Sequence, residues 1–288
     1  MVQLKSCSPG RLYPALLPAL FLTIGCLEVL GAPSPPGELI RVGGSGTGTV
    51  LLQRMAESYA RLQPATQVKA VLPPLGGSGA LRALSASAID LAVVSQPPTA
   101  PEAPGGSSVL WVRTPLTLVA RGAPGNGKLT RDQVAEIFSG HLAQWPDGKP
   151  IRLVLRSARE PDLKLVRAIS PQIDAAVGLA LKRTGVPVAE NDLENQYILD
   201  RTPGAFGIMS LGQLLLSERQ LSELAPLRMD GVMPSAAALR SRAYPYEKPF
   251  YLVVGNKPSA ATRDFVAYLQ SPAAMEILAR LAFIPPQR

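Results

Sequence analysis

Four short stretches bring together residues suited to holding an oxyanion. Ser45-Gly46-Thr47, Gly77-Ser78 and Ser95-Gln96 are hydroxyl- and glycine-bearing loops, and "VLRSAREPDL" sets Arg156 and Ser157 at the end of an apolar strand, before a helix start. Hydroxyls, an arginine and free backbone N–H groups ligate anions; without a neighbouring base they do not make a nucleophile. The last stretch carries a contradiction, because Glu160 and Asp162 stand where an anion would be received. Ser157-Ala158-Arg159-Glu160 has capping-box spacing, which would let the serine and the glutamate satisfy the free N–H groups reciprocally, and Pro161 removes another donor. Arg156 has an alternative role here, as the ion-pair partner of Glu160 or Asp162 inside a closed lobe.

Catalytic inventories are poor. The single histidine, His141, lies in the loop "SGHLAQW" and reads as a surface residue rather than a general base. There is no G-x-S-x-G elbow, and "GGSGTGT" lacks the lysine of a nucleotide-binding loop. Neither zinc nor iron finds a His/Cys cluster. Glu190, Asp192 and Glu194 read as negative charge at a helix start, since the rest of a calcium loop is missing. Binding without enzymatic turnover, metal or cofactor is therefore the expectation.

These loops need elements to hold them. "ELIRV", "QVKAVL" and "DLAVV" read as strands; residues 48–62 place Leu51, Leu52, Met55, Tyr59 and Leu62 at helical spacing, and "ALRALSAS" is a second helix. Strands alternating with short helices predict a parallel sheet with its loops at the carboxyl ends of the strands. "SVLWVRTPLTLVARG" reads as two adjacent strands carrying the chain into a second unit. There follow a helix "LTRDQVAEIFSG" with Thr130 and Gln133 as a capping box and Gly140 as its stop, a strand "IRLVLR", helices around 162–184 and 191–200, and the strand "IMS". "YPYEKPFYLVVGN" is a return strand, and the amphipathic segment 260–281 packs back on the first unit.

The 288 residues are 47% hydrophobic with a mean hydropathy of +0.15, enough for one large core or two medium ones. The net charge of +8 favours anionic partners, yet no run of five Lys/Arg occurs and aromatics are not interleaved with basic residues, so nucleic acid is not the expected partner. Lys5 and Arg11 precede the apolar run "ALLPALFLTIGCLEVLGA" and a Pro-rich spacer, which reads as a secretory signal peptide over 1–31 and a spacer over 32–38. Pro14, Pro18 and Glu28 interrupt the run and argue against a membrane-spanning helix. Both cysteines, Cys7 and Cys26, fall in this leader, and "LTIGC" resembles a lipoprotein box with Thr23 in the usual leucine position, which leaves a lipid on Cys26 as the alternative mode of export.

Together, "GGSGTGTVLLQRMAESY", "LGGSGALRAL", "IDLAVVSQPP", "LTRDQVAEIFSGHLAQWPDGKPI", "TPGAFGIMS", "DGVMPSAAALRSRAYPYEKPFYLVV" and "FVAYLQSPAAMEILARLAFIPP" resemble the phosphate-binding proteins of bacterial ABC importers, in family order over nearly the whole mature chain. The resemblance implies an α/β, two-lobed type II periplasmic-binding-protein fold: each lobe a mixed sheet flanked by helices, joined by two crossover strands and closing over one phosphate. It implies lobe 1 over 39–113 plus 247–288 and lobe 2 over 114–246, a monomer in the periplasm or cell envelope, a small anion as ligand and an ABC permease as partner. Carried across, the ligand site is Ser45, Gly46, Thr47, Gly77, Ser78, Ser95, Gln96, Arg156 and Ser157.

Two departures bear on the ligand. Relatives commonly place an aspartate after the third-loop serine, to accept the proton of monohydrogen phosphate; Gln96 keeps one acceptor, adds two donors and loses the charge. Hydrogen bonds to charged groups contribute about 1.5–3 kcal/mol, enough to relax phosphate-over-sulfate discrimination tenfold. A loop glutamine that caps "SQPP" and touches no ligand is the other reading of this residue. The second departure is "RSAREPD", where the family pattern has an arginine followed by Ser-Gly-Thr. Two functions are thus expected alternatives: an exported phosphate-type solute-binding protein, or a ligand-poor descendant serving envelope interaction or sensing.

Overall fold

The computed structural model describes residues 37–99, 102, 106–122, 127–217 and 223–286. The expected signal peptide, nearly all of the spacer and both cysteines lie outside them. Among the described residues no helix is long and apolar enough to cross a membrane.

The chain begins with β1 (Leu39–Gly44), α1 (Gly46–Leu62), β2 (Gln67–Ala70), α2 (Gly76–Ser85) and β3 (Leu91–Val94), then crosses on the 15-residue β4 (Ser107–Arg121). Next come β5 (Lys128–Leu129), α3 (Arg131–Ser139), β6 (Arg152–Leu153), β7 (Leu155–Arg156), α4 (Pro161–Arg167), α5 (Pro171–Ala180) and β8 (Val188–Ala189). The series continues with α6 (Asp192–Arg201), β9 (Ala205–Ser210), α7 (Leu211–Leu216), β10 (Leu224–Pro226), β11 (Arg228–Met229) and α8 (Ala236–Arg240). The return strand β12 (Glu247–Val254) and helices α9 (Ala260–Leu269) and α10 (Pro272–Arg280) complete it.

The main sheet is mixed, in the order β2-β1-β3-β12-β4-β9-β6 with β10 against β4. Pairs β1–β2 and β1–β3 are parallel, whereas β12 and β4 run antiparallel to their neighbours. Instead of the two strands expected at 107–121 there is one. Pro115 has no N–H for a ladder, and at that point β4 changes partner: Ser107 to Pro115 pair with β12, Leu116 to Ala120 with β9. The expected strand "IRLVLR" is divided, because Val154 N–H bonds Phe206 on one side and Leu155 N–H bonds Pro187 on the other. Two short strands result, and the second, β7, delivers Arg156.

Two large apolar clusters flank this sheet. One joins Ile40, Leu51, Leu52, Tyr59, Trp111, Phe250, Phe265 and Phe283; the other joins Leu118, Phe138, Trp145, Leu155, Ile173, Phe206 and Tyr244. The C-terminal helices pack on the first cluster as expected, with the Tyr59 ring 5.1 Å from Phe265 and 5.0 Å from Tyr268. The first turn of α1, Gly46 to Thr49, is buried, which the helix achieves by lacking side chains where it approaches β3: a Cβ on Gly48 would lie 2.7 Å from Val93 Cγ1. The capping box at Thr130/Gln133 and the left-handed Gly140 stop of α3 are both present.

Candidate functional site

Between the two apolar clusters lies a buried group of charges. Arg156 on β7 is 0% exposed, Asp162 at the start of α4 is 1%, Asp192 at the start of α6 is 2% and Lys248 on β12 is 1%. Each is placed by local structure. Alternation along β12 puts Lys248 on the same inward face as Phe250 and Leu252. Asn191 caps α6 by accepting from Leu193 N–H and Glu194 N–H, so the Asp192 side chain is not needed by its own helix and points away from it.

Asp192 points at the N-terminus of α1. Its Oδ2 accepts from Thr47 N–H and from the Thr47 hydroxyl, both at 2.8 Å, and lies 3.4 Å from Lys248 Nζ. Oδ1 accepts from an Arg156 guanidinium nitrogen at 3.0 Å and from Lys248 Nζ at 3.1 Å. Helix α1 offers no competing anion: its first turn has no acidic residue and Ser45 makes no side-chain cap. A Cβ on Gly46 would stand 2.7 Å from Asp192 Cβ, so the bare glycine is what permits this approach.

The remaining contacts complete the group. Lys248 Nζ lies 2.8 and 3.0 Å from the two Asp162 oxygens, and Arg156 also bonds the Asn191 carbonyl at 2.7 Å and Glu160 at 2.5 Å. Gln213 donates to the Asp192 carbonyl at 2.8 Å. Burial pushes the Asp192 carboxyl up, but Lys248, Arg156 and the Thr47 hydrogen bonds override it and hold the group well below the usual carboxylate range. Burial pushes Lys248 and Arg156 down, and the neighbouring carboxylates more than reverse it, so both stay cationic. Glu160, at the rim, is raised by burial despite the pull of Arg156.

The expected ligand residues are therefore divided. Gly46, Thr47 and Arg156 converge, around a carboxylate of the chain itself. Ser45 and Ser95 sit beside them, with Ser95 donating to the Ser45 hydroxyl at 3.5 Å. Gly77, Ser78, Ser95 and Gln96 line a separate cleft of about 330 Å³ with Arg159, Glu160 and Glu190. Ser157 donates its N–H to the Ala189 carbonyl of β8. The expected capping box of Ser157 and Glu160 does not form: α4 begins at Pro161, which makes Glu160 the cap position with no side-chain cap, and its carboxylate turns back to Arg156. Of the two partners expected for Arg156, Glu160 is one, beside Asp192, while Asp162 pairs with Lys248.

Lys248 and Asp192 are the members of this buried cluster that were not among the expected ligand residues. A signal existed for Lys248: in "EKPFYLVV" it falls in phase with Phe250 and Leu252, an inward position where an unpaired lysine would not be tolerated.

Residues 31–273 match the PBP superfamily domain, and the chain belongs to that superfamily. It is similar in fold to a Clostridium perfringens structure described as a phosphate ABC transporter substrate-binding protein with bound phosphate, with a TM-score of 0.71 and 15% identity over 87% of this chain and all of that one. An ABC-type phosphate transport receptor from Vibrio cholerae gives 0.58 and 19% over 86% of this chain and 100% of the other. The regulatory domain of Synechocystis CcmR, in complex with 2-PG, gives 0.51 and 17% over 81% of this chain and 96% of that one. No curated protein matches in sequence.

Proposed function

We propose that the chain is exported to the cell envelope by its leader and works there as a monomeric binding-protein module whose inherited anion seat is closed on its own Asp192, serving interaction or sensing rather than delivering phosphate to a permease. The lobes are taken to divide at 113/114 and 246/247, where β4 and β12 cross and the two apolar clusters part. One observation carries the reading: the Thr47 donors, Arg156 and Lys248 are all engaged by a carboxylate supplied within the chain. A phosphate dianion added there would meet Asp162 and Asp192, which already balance the two buried cations, and would be expelled by like charge. The fold it shares with a regulatory domain agrees with a sensing role. Calorimetry of the mature chain, residues 32–288, with phosphate and sulfate tests it: no heat of binding and an unchanged melting temperature are expected, and tight phosphate binding overturns it.

A second reading keeps the solute-binding role of the phosphate-importer type and moves the ligand. The cleft lined by Gly77, Ser78, Ser95, Gln96 and Arg159 is open, and the first turn of α2 has neither an acidic residue nor a side-chain cap. Glu160 and Glu190 in the same wall favour a weakly charged ligand over a dianion. Anion binding that Ser78→Ala and Arg159→Ala abolish would establish this reading over the first.

A further inference from the structure

We infer that Asp192 acts as a built-in ligand, and that a chain lacking its side chain takes up a small monoanionic oxyanion, a carboxylate such as formate or acetate foremost, on the same donors: Thr47 N–H and hydroxyl, Arg156 and Lys248. The inference rests on the closed-seat reading above and adds the chemical class the seat accepts.

The geometry of the carboxylate is that of a bound guest. Each oxygen is engaged, and the donors come from α1, β7 and β12, none of them on its own helix. An aspartate in a first helical turn ordinarily serves that turn, whereas Asn191 has taken over the capping of α6 and leaves Asp192 unneeded there. Gly46 removes the one side chain that would stand in the way.

Charge selects the class. Without the Asp192 carboxylate the two fully buried cations, Arg156 and Lys248, face one fully buried carboxylate, Asp162, so one negative charge restores the buried balance and two exceed it; Glu160 at the rim adds to the repulsion of a dianion. Two oxygens suffice to reproduce the contacts, since Thr47 and Lys248 converge on one oxygen and Arg156 and Lys248 on the other. A planar carboxylate therefore fits better than a sulfate dianion.

The test is chemical rescue in the full mature chain. Asp192→Gly vacates the methylene with the carboxylate; with formate or acetate at about one hundred times the dissociation constant its melting temperature should rise by about 5–10 °C over the same variant in chloride. Phosphate should give less, sulfate least, and the native chain and Asp192→Asn, whose seats stay filled, should not respond. If Asp192→Gly does not fold in chloride, refolding in formate is expected to recover it. An Asp192→Gly/Lys248→Met variant, in which the one remaining buried cation, Arg156, is already balanced by Asp162, should lose the response.

An Asp192→Gly chain that folds in chloride and ignores every oxyanion overturns the inference, as does one that formate fails to refold, and so does a sulfate response exceeding that of formate. A native chain that itself binds phosphate overturns the closed-seat reading instead, so the two failures are distinguishable.

Discussion

Thr47 and Asp192 are 145 positions apart in the chain and meet through two hydrogen bonds of 2.8 Å, the backbone N–H and the hydroxyl of one residue on a single carboxylate oxygen of the other. The contact ties the first turn of α1 to the first turn of α6, and so links the two halves of the fold on either side of the crossover strands. Helix α1 thereby acquires at its positive end an anion that its own first turn lacks.

Neutralising that anion should be costly. In Asp192→Asn one acceptor still faces Thr47, but the new amide donors point toward Arg156 and Lys248, both buried and cationic. Breaking a buried ion pair from one side typically costs about 3–5 kcal/mol. Urea unfolding should show the midpoint falling accordingly with the slope unchanged; a native-like midpoint would mean that the cluster contributes nothing to stability.

Lys248 gives the complementary case. Lys248→Met leaves Asp162 without its cation, and the loss should again be about 3–5 kcal/mol. Replacing both members, Lys248→Met with Asp162→Leu, removes the buried charge along with its partner. The double variant should be more stable than the sum of the single losses predicts, with a coupling of about 0.5–3 kcal/mol in a double-mutant cycle. Strict additivity would show that the two residues act independently.

Gly46→Ala tests sterics without touching any charge. Its Cβ would lie 2.7 Å from Asp192 Cβ and 3.3 Å from Asp192 N, so α1 or α6 must shift. Overpacking of this kind costs about 1–3 kcal/mol. Gly178→Ala is the control, because nothing lies within 4 Å of the added carbon and the site is inside α5, where the same exchange is expected to be stabilising by about 0.4–1 kcal/mol. Thermal unfolding of the pair should move in opposite directions.

The Gly-rich loops, the amphipathic α1 and the Thr130 capping box were all legible because their determinants are local: spacing, small residues and polar caps within a few positions. The contact between Asp192 and Thr47 was not, for the opposite reason. Asp192 reads as helix-start charge because its sequence neighbours fit that role, and nothing nearby records that Asn191 does the capping while Thr47 waits 145 residues upstream. In the same way, Ser157 and Glu160 have the spacing of a capping box, and Pro161 shifts the helix start so that the glutamate falls at the cap itself and bonds Arg156. Pairing patterns were half visible: Pro115 marks the point where β4 changes partner, yet the strand continues through it because β9 receives it on the far side.

Acid should act on the cluster through two groups of opposite sign. The Asp192 carboxyl has a folded pKa well below its ordinary value, so its stabilisation is complete above the unfolded value of about 3.9 and is lost only as the pH falls through the lower, folded one. Glu160 is shifted the other way, upward by burial, so in the window between about 4.3 and its raised value the folded chain binds more protons than the unfolded chain. Stability contributed by this group therefore rises as the pH is lowered through that window, before the Asp192 loss begins. Glu160→Gln removes the first effect and leaves the second. Urea midpoints measured from neutral pH down to about pH 3 should show the native chain gaining stability relative to Glu160→Gln on mild acidification, and both falling together in stronger acid. Parallel curves across the whole range would show that Glu160 titrates alike in the folded and unfolded chains, and that its contact with Arg156 fully offsets its burial.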